Sequence, residues 1–387
     1  MNFELTEEQR LFRDTVREWV EREAPKSYAL ELERREDEYP FELWDKMTEA
    51  GFHGISVPEE YGGQGGDIVM QAILARELAR SLAGLTWVWG NTSFAGAKSV
   101  GLYGTEEQKR KLLPLIAQGK ARCTIGFTEP GGGTDLLGAM RTFGEKVDGG
   151  WVVNGSKTWC TQAHVADYIL LLVRTDKNVE KRHHGVTLFL MPRESEGVTI
   201  SPIPKLGMRA VSSCDVALDN VFIPDEWLLG EPGKAWYMLL PTLNNERILL
   251  AAFCCGILDG ILEDALQYAQ ERHAFGRPIG QFQTLQHYIA DIAMWRRQAE
   301  LLTFNAAWLQ ANGRDCFMET TMAKVAASDY ANKAADLGIQ ILGGMGYSAE
   351  TNMQRYWRDS RLFRIGPITN EMARNTIAEQ LGLPRSF

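Results

Sequence analysis

The chain has 387 residues, with 41 lysines and arginines against 50 aspartates and glutamates, a net charge of −9. That length predicts two or three domains of roughly 100–200 residues, with a core large enough to need no disulfide or zinc staple. The acidic balance argues against nonspecific nucleic-acid binding and leaves room for a local basic channel around a phosphorylated ligand.

The first stretch, MNFELTEEQR, has no basic apolar leader and is too acidic for a transit peptide. Thr6 and Gln9 have capping-box spacing, and Phe12, Val16 and Trp19 follow at helical intervals. A second helix is expected from Pro40, carrying Leu43, Trp44 and Met47, with Gly51 as its stop. A third runs from about Asp67 to Leu82, and Thr105 with Gln108 caps another that ends near Gly119.

At Cys123 the pattern changes to short β-branched runs between turn signals: Trp151 to Val153, Tyr168 to Arg174, Gly185 to Met191, Val198 to Ile203 and Cys214 to Phe222. Asp148-Gly149-Gly150 predicts a hairpin turn. His183-His184, beside Lys181-Arg182, reads as a solvated loop, and no metal site is expected. From Trp236 the helical period returns. A long helix is expected from near Asn245, and the apolar run Ile248 to Leu258 within it is shorter than the roughly 20 residues that span a bilayer. Leu285 to Leu309 and Cys316 to Leu342 predict two more long helices, separated by Asn312-Gly313. The expected fold is an α+β multidomain chain. It has an N-terminal helical domain over 1–122, a middle antiparallel β-barrel or sandwich over 123–232 and a C-terminal helical bundle over 233–387. Six cysteines without C-x-x-C spacing predict reduced, buried thiols and a cytoplasmic protein.

The chain has no P-loop and no G-x-S-x-G. Gly344-x-Gly346-x-x-Ala349 follows a helix and lacks the βαβ context of a dinucleotide fold. Phe127-Thr128-Glu129-Pro130-Gly131-Gly132-Gly133-Thr134-Asp135 admits a ligand close to the backbone. It resembles the T-E-P-G-x-G-[ST]-D signature of the acyl-CoA dehydrogenase family. Four more stretches resemble that family in the right order: Asn154 to Thr161, Glu271 to Ile279 followed by Gln283, Gln340 to Tyr347, and Arg358-Asp359. The resemblance implies FAD held noncovalently between the β domain and the C-terminal helices. Phe127, Thr128, Trp159 and Thr161 would meet the flavin ring, an aromatic face and hydroxyls suiting a flat ring with a polar rim. Arg272, Phe275 and Gln283 would reach the adenosine and diphosphate of FAD bound mainly to a neighbouring subunit, with Gln340, Gly343 and Gly344 nearby. Thr369 and Glu371 would line the FAD, and Thr134 would touch the CoA. A homotetramer follows from that sharing, and an electron-transfer flavoprotein is the implied electron acceptor in fatty-acid metabolism.

Oxidation of an acyl-CoA at its α,β carbons needs a carboxylate for the α proton. The family's usual C-terminal Y-E-G-T reads Gly366-Pro367-Ile368-Thr369 here, so that glutamate and its backbone N–H are absent. A second branch, which includes isovaleryl-CoA dehydrogenase, places the glutamate on the first long C-terminal helix. Glu246, in Asn244-Asn245-Glu246-Arg247, matches that position as catalytic base, and Arg247 matches an arginine beside the CoA chain. Trp87, Trp89 and Phe94 are expected either to approach the acyl pocket, favouring short, branched or cyclic acyl groups, or to be core residues. The direction of the reaction stays open. So do an oxidase or monooxygenase on the same fold and a structural subunit of a hetero-oligomer.

Overall fold

A computed structural model of the protein describes residues 4–35 and 38–385; residues 1–3 of the N-terminal stretch lie outside them. The chain opens with α1 Glu7–Glu23, α2 Lys26–Leu32, α3 Phe41–Glu49, α4 Ile68–Ser81, α5 Ala83–Asn91, α6 Ser99–Tyr103 and α7 Glu106–Ala117. Both expected capping boxes form, at 2.8–3.2 Å, so each satisfies two amide donors at a helix start. Asp67 caps α4 through the Met70 amide at 2.9 Å. Gly51, with φ of 74°, supplies the left-handed turn after α3. Between α5 and α6 the helix does not break. It widens into a π-helical segment over Thr92–Lys98.

The middle region holds β1 Cys123–Gly126, β2 Phe143–Val147, β3 Gly150–Thr161, β4 Tyr168–Arg174, β5 Val186–Pro192, β6 Val198–Ile203, β7 Ser213–Pro224 and β8 Leu228–Leu229. They form one sheet in the order β6-β7-β3-β2-β4-β5-β8, with β1 paired to β4. The expected Gly149 hairpin joins β2 to β3. The expectation of a closed antiparallel barrel needs correcting: the path ends at β6 and β8, and β1 runs parallel to β4. A parallel pair needs a long crossover, and the Gly-rich segment after β1 together with the β2–β3 hairpin supplies it. Strand spacing alone does not reveal that connection.

The C-terminal part comprises α8 Ala235–Glu271, a β9 His273–Ala274 and β10 Arg277–Pro278 hairpin, then α9 Gln283–Ala311, α10 Phe317–Leu342, α11 Gly344–Tyr347, α12 Met353–Leu362 and α13 Asn370–Gln380. α8 begins at Ala235, well before Asn245, and runs through Pro241. The proline removes one backbone bond. Ala235 and Leu239 are buried in a core shared with β4 and β5, and that packing outweighs local propensity. α4 lies against α8, so Leu74, Leu78, Leu258 and Ala331 belong to one core that joins the two helical regions. Arg76 crosses it, donating to Asp259 and to Glu300 at 2.7 Å each. All six cysteines are buried and free of disulfides. No helix among the described residues is long and apolar enough to cross a membrane.

Candidate active site

α8 carries Glu246 into a cavity lined by Trp87, Asn91 and Phe94 from the N-terminal helices and by Leu249 and Phe253 from its own next turns. The cavity is nearly all apolar and leaves free volume for at most about one water. Trp87 and Phe253 meet edge to face at 5.7 Å. The π-helical turn places Phe94 in this wall, and its carbonyl accepts a bond from Ser99 Oγ at 3.0 Å. Trp89 is not part of the wall. It is wholly buried, with its indole N–H donating to the Phe52 carbonyl at 3.0 Å, and is a core residue.

No donor among the described residues hydrogen-bonds the Glu246 carboxylate. Burial pushes its pKa up to about 7 against the opposing pull of Arg247 and Lys324. Burial likewise lowers the Arg247 guanidinium from its ordinary value, with Glu246 acting in the opposite sense. Arg247 is held by Asn244 Oδ1 at 3.2 Å and lies over the Phe317 ring. A carboxylate poised near neutrality beside a dry cavity can take a proton from a weak carbon acid.

On the β side, Phe127 and Thr128 follow β1. Glu129 beneath them is buried and accepts from the Arg141 and Thr142 amides at 2.6 and 3.0 Å and from Lys157 Nζ at 2.8 Å. Lys157, also buried, donates to the Phe127 carbonyl at 3.1 Å. Burial alone would raise the Glu129 carboxyl; Lys157 and these bonds outweigh it and hold it below its ordinary value. The Gly-rich loop is thereby bolted to β3. The register of β3 against β7 shifts between Lys157 and Cys160, and Trp159 in that bulge has φ of 60° and is 55% exposed. A bulge re-aims a side chain in this way. Thr161 follows, its carbonyl accepting from Asn91 Nδ2 at 3.1 Å. Asn91 therefore ties the cavity wall to the strand of Trp159 and Thr161.

The other expected residues lie elsewhere on the surface. Arg272 caps the end of α8, Phe275 lies in the turn of the β9–β10 hairpin and Gln283 starts α9; Phe275 is 94% exposed. Gln340, Gly343 and Gly344 are exposed at the end of α10, and Thr134 is exposed on the Gly-rich loop. Thr369 caps α13 through the Met372 amide at 3.2 Å, with exposed Glu371 in the first turn. No hydrogen bond, ion pair or ring contact among the described residues joins these groups to Phe127, Thr128, Trp159 or Thr161. His183 and His184 are solvent-facing, as expected, and share the Tyr237 hydroxyl at 2.8 and 3.3 Å. Sequence reasoning missed Asn91, the Glu129–Lys157 pair and Lys324. The signal for Lys324 was a cation among apolar neighbours, Met322-Ala323-Lys324-Val325-Ala326; Lys157, between Ser156 and Thr158, carries no such signal.

The residues present fit a flat, extended cofactor. Trp159 projects an exposed ring from a strained bulge, and a Cβ added at Gly131, Gly133, Gly343 or Gly344 would meet nothing within 4 Å, so the backbone of both glycine segments is open to a ligand.

The acyl-CoA dehydrogenase N-terminal, middle and C-terminal domain families match residues 6–120, 124–221 and 233–382. The chain belongs to the acyl-CoA dehydrogenase family. This is a flavoprotein family whose members are oxidoreductases acting on the CH–CH bond of acyl-CoA. The chain is 37% identical over 383 residues to a probable acyl-CoA dehydrogenase, YngJ, of Bacillus subtilis, covering 98% of this chain and 100% of that one. It is 34% identical over 379 residues to the caffeyl-CoA reductase-Etf complex subunit CarC of Acetobacterium woodii, covering 97% and 98%. Its fold is similar to that of butyryl-CoA dehydrogenase from Megasphaera elsdenii, with a TM-score of 0.92 at 31% identity, covering 98% of this chain and 100% of that one.

Proposed function

We propose that the protein is an FAD-dependent dehydrogenase of short acyl-CoA thioesters, with Glu246 as the base. The observation that carries this reading is the unpartnered Glu246 carboxylate facing an apolar cavity, in a chain with Pro367 at the other place a base could stand. Glu246 takes the α proton and holds it on its carboxyl. Arg247 steadies the thioester end, and Trp87, Phe94 and Phe253 exclude water and limit chain length. Phe127, Thr128, Trp159 and Thr161 would hold the FAD ring, with Thr369 and Glu371 along it and Thr134 at the CoA. Bound FAD would supply the acceptor for the β hydride. The thioester oxygen needs donors that Pro367 cannot give; the Ile368 amide or a cofactor hydroxyl would serve. The physiological direction, dehydrogenation or enoyl-CoA reduction, is set by the electron partner. The likeness to an Etf-complex subunit supports an electron-transfer flavoprotein in that role.

Anaerobic mixing with acyl-CoAs of graded length tests the reading. Butyryl-CoA should bleach the yellow protein fastest and long chains little. Rapid reoxidation by air after bleaching would favour an oxidase instead, and no bleaching by any chain would favour a structural subunit. Trp87→Ala should shift the kcat/KM optimum to longer chains, by roughly tenfold or more per added methylene accommodated. The bleaching rate should rise about tenfold per pH unit below pH 7 and level off above it, because the base must be ionised.

Met294, Leu301 and Trp308 form an exposed apolar stripe at seven-residue spacing on α9. With exposed Phe275, it supports a homotetramer whose subunits share FAD. Light scattering should give four times the chain mass for the flavin-loaded protein; a monomeric active species would refute the sharing. Arg272→Ala should weaken FAD binding by about 1.5–3 kcal/mol and acyl-CoA binding far less, as read by flavin retention on dilution.

A further inference from the structure

We propose that Lys324 is a positioning residue of the active site: it fastens the Gly366–Thr369 loop to the helical bundle and supplies from α10 a buried positive charge that favours an ionised Glu246. The second half rests on the reading of Glu246 as base.

Lys324 lies on the α10 face that carries Ala323, Ala327 and Ala331, and it is wholly buried. A buried ammonium needs acceptors. Lys324 Nζ donates to the Ile368 carbonyl at 2.5 Å and to Asn370 Oδ1 at 2.7 Å. Asn370, buried as well, donates through Nδ2 to Ser328 Oγ and to Asp329 Oδ1, each at 2.9 Å. The Asn370 amide closes the loop on the Arg364 carbonyl at 3.1 Å. Three neighbouring residues of α10 thus fix the segment that contains Pro367. The Ile368 and Thr369 amides make no hydrogen bond to protein among the described residues, so they are the donors this loop has to offer, and Lys324 sets where they stand. Because a peptide unit is planar with its C=O and N–H opposed, turning the Ile368 carbonyl to Lys324 turns the Thr369 N–H away from it.

The charge has a second use. α10 meets α8 beside Glu246, where Thr320 Oγ1 donates to Asn244 Oδ1 at 3.5 Å, and Arg247 from α8 and Lys324 from α10 both favour the ionised form of Glu246. Around Lys324, Cys254 from α8, Asp329 from α10 and Glu371 from α13 favour its charged form and Arg247 from α8 opposes it. Burial brings Lys324 down to about 8, which keeps it protonated at neutral pH.

Lys324→Met and Asn370→Ala separate the two uses. Butyryl-CoA is the substrate for anaerobic flavin reduction, and crotonyl-CoA is the binding probe, read by its perturbation of the flavin spectrum. Lys324→Met should move the pH midpoint of reduction up by about one unit, making it about tenfold slower at pH 6.5 and close to wild type at pH 9. It should also weaken crotonyl-CoA binding about tenfold. Asn370→Ala should weaken that binding to a similar extent and leave the midpoint in place. A folded Lys324→Met with wild-type midpoint and affinity overturns the proposal and leaves a packing role. If Lys324→Met does not fold, Lys324→Gln, which keeps a donor and drops the charge, must show the same upward shift or the charge role is refuted. Glu246→Gln, slow at every pH, checks the underlying reading separately; should it reduce normally, the crotonyl-CoA affinities still decide the loop role.

Discussion

Glu246→Gln is expected to fold, retain FAD and bind acyl-CoA, and to bleach with substrate at least ~10²–10⁴ times more slowly than the wild-type protein, the usual effect of losing a general base. Stopped-flow absorbance under anaerobic conditions measures it directly. Reduction at the wild-type rate would move the base elsewhere and weaken the dehydrogenase reading. The same variant should be more stable than wild type in alkaline solution. In the fold the Glu246 carboxyl titrates near 7, against an ordinary value of 4.5. A carboxyl with a raised folded pKa binds its proton more tightly in the native state. Its contribution is therefore full below about pH 4.5 and is lost as pH climbs through 7. Glutamine has no proton to lose. The cofactor-free variant should gain up to about 3 kcal/mol at pH 8 and nothing at pH 4, as read by urea denaturation. Activity and stability changing in opposite directions at one residue would mark a carboxylate held where folding alone would not place it.

Lys157→Met should be the most damaging single change in the β region. It strands the Glu129 carboxylate in the interior with two backbone donors and no counter-charge. Breaking a buried pair from one side costs about 3–5 kcal/mol. The loop of Phe127 and Thr128 should loosen with it, so FAD retention should fall alongside the urea midpoint. Replacing Glu129 by Met in the same chain should restore part of the loss, because the stranded charge goes too. A single variant within about 1 kcal/mol of wild type would show the pair to be incidental.

The sequence was most legible where local chemistry decides. Thr6 with Gln9 and Thr105 with Gln108 needed only a hydroxyl and an amide three residues apart, and both boxes formed. Glu246 is the sequence's candidate base because Pro367 stands where its rival would be, and the structure adds that it borders an apolar cavity. The start of α8 was not legible: Pro241 reads as a barrier, and only the burial of Ala235 and Leu239 against the sheet carries the helix past it. Sheet closure was hidden for a similar reason, since β1 pairs with β4 across a crossover that no strand pattern records. Trp87 and Trp89 show the limit most plainly. Two residues apart, one lines the cavity and the other donates to Phe52 in the core, and helical geometry alone does not say which.

The widened turn at Thr92–Lys98 has a consequence for how this enzyme's selectivity could be altered. A π turn is an α-helix holding one surplus residue, so removing that residue lets the ladder close again without a gap. Because the wide turn already absorbs that residue, the helix on either side keeps its phase and the side chains inside the turn are the ones re-aimed. Phe94 would swing out of the wall and a different side chain would take its place opposite Glu246. Shortening the chain by one residue, with no substitution at all, would recast the cavity beside Glu246 while α5 and α6 stayed folded on either side. A set of single-codon deletions across this stretch is thus a compact library for new chain-length preferences.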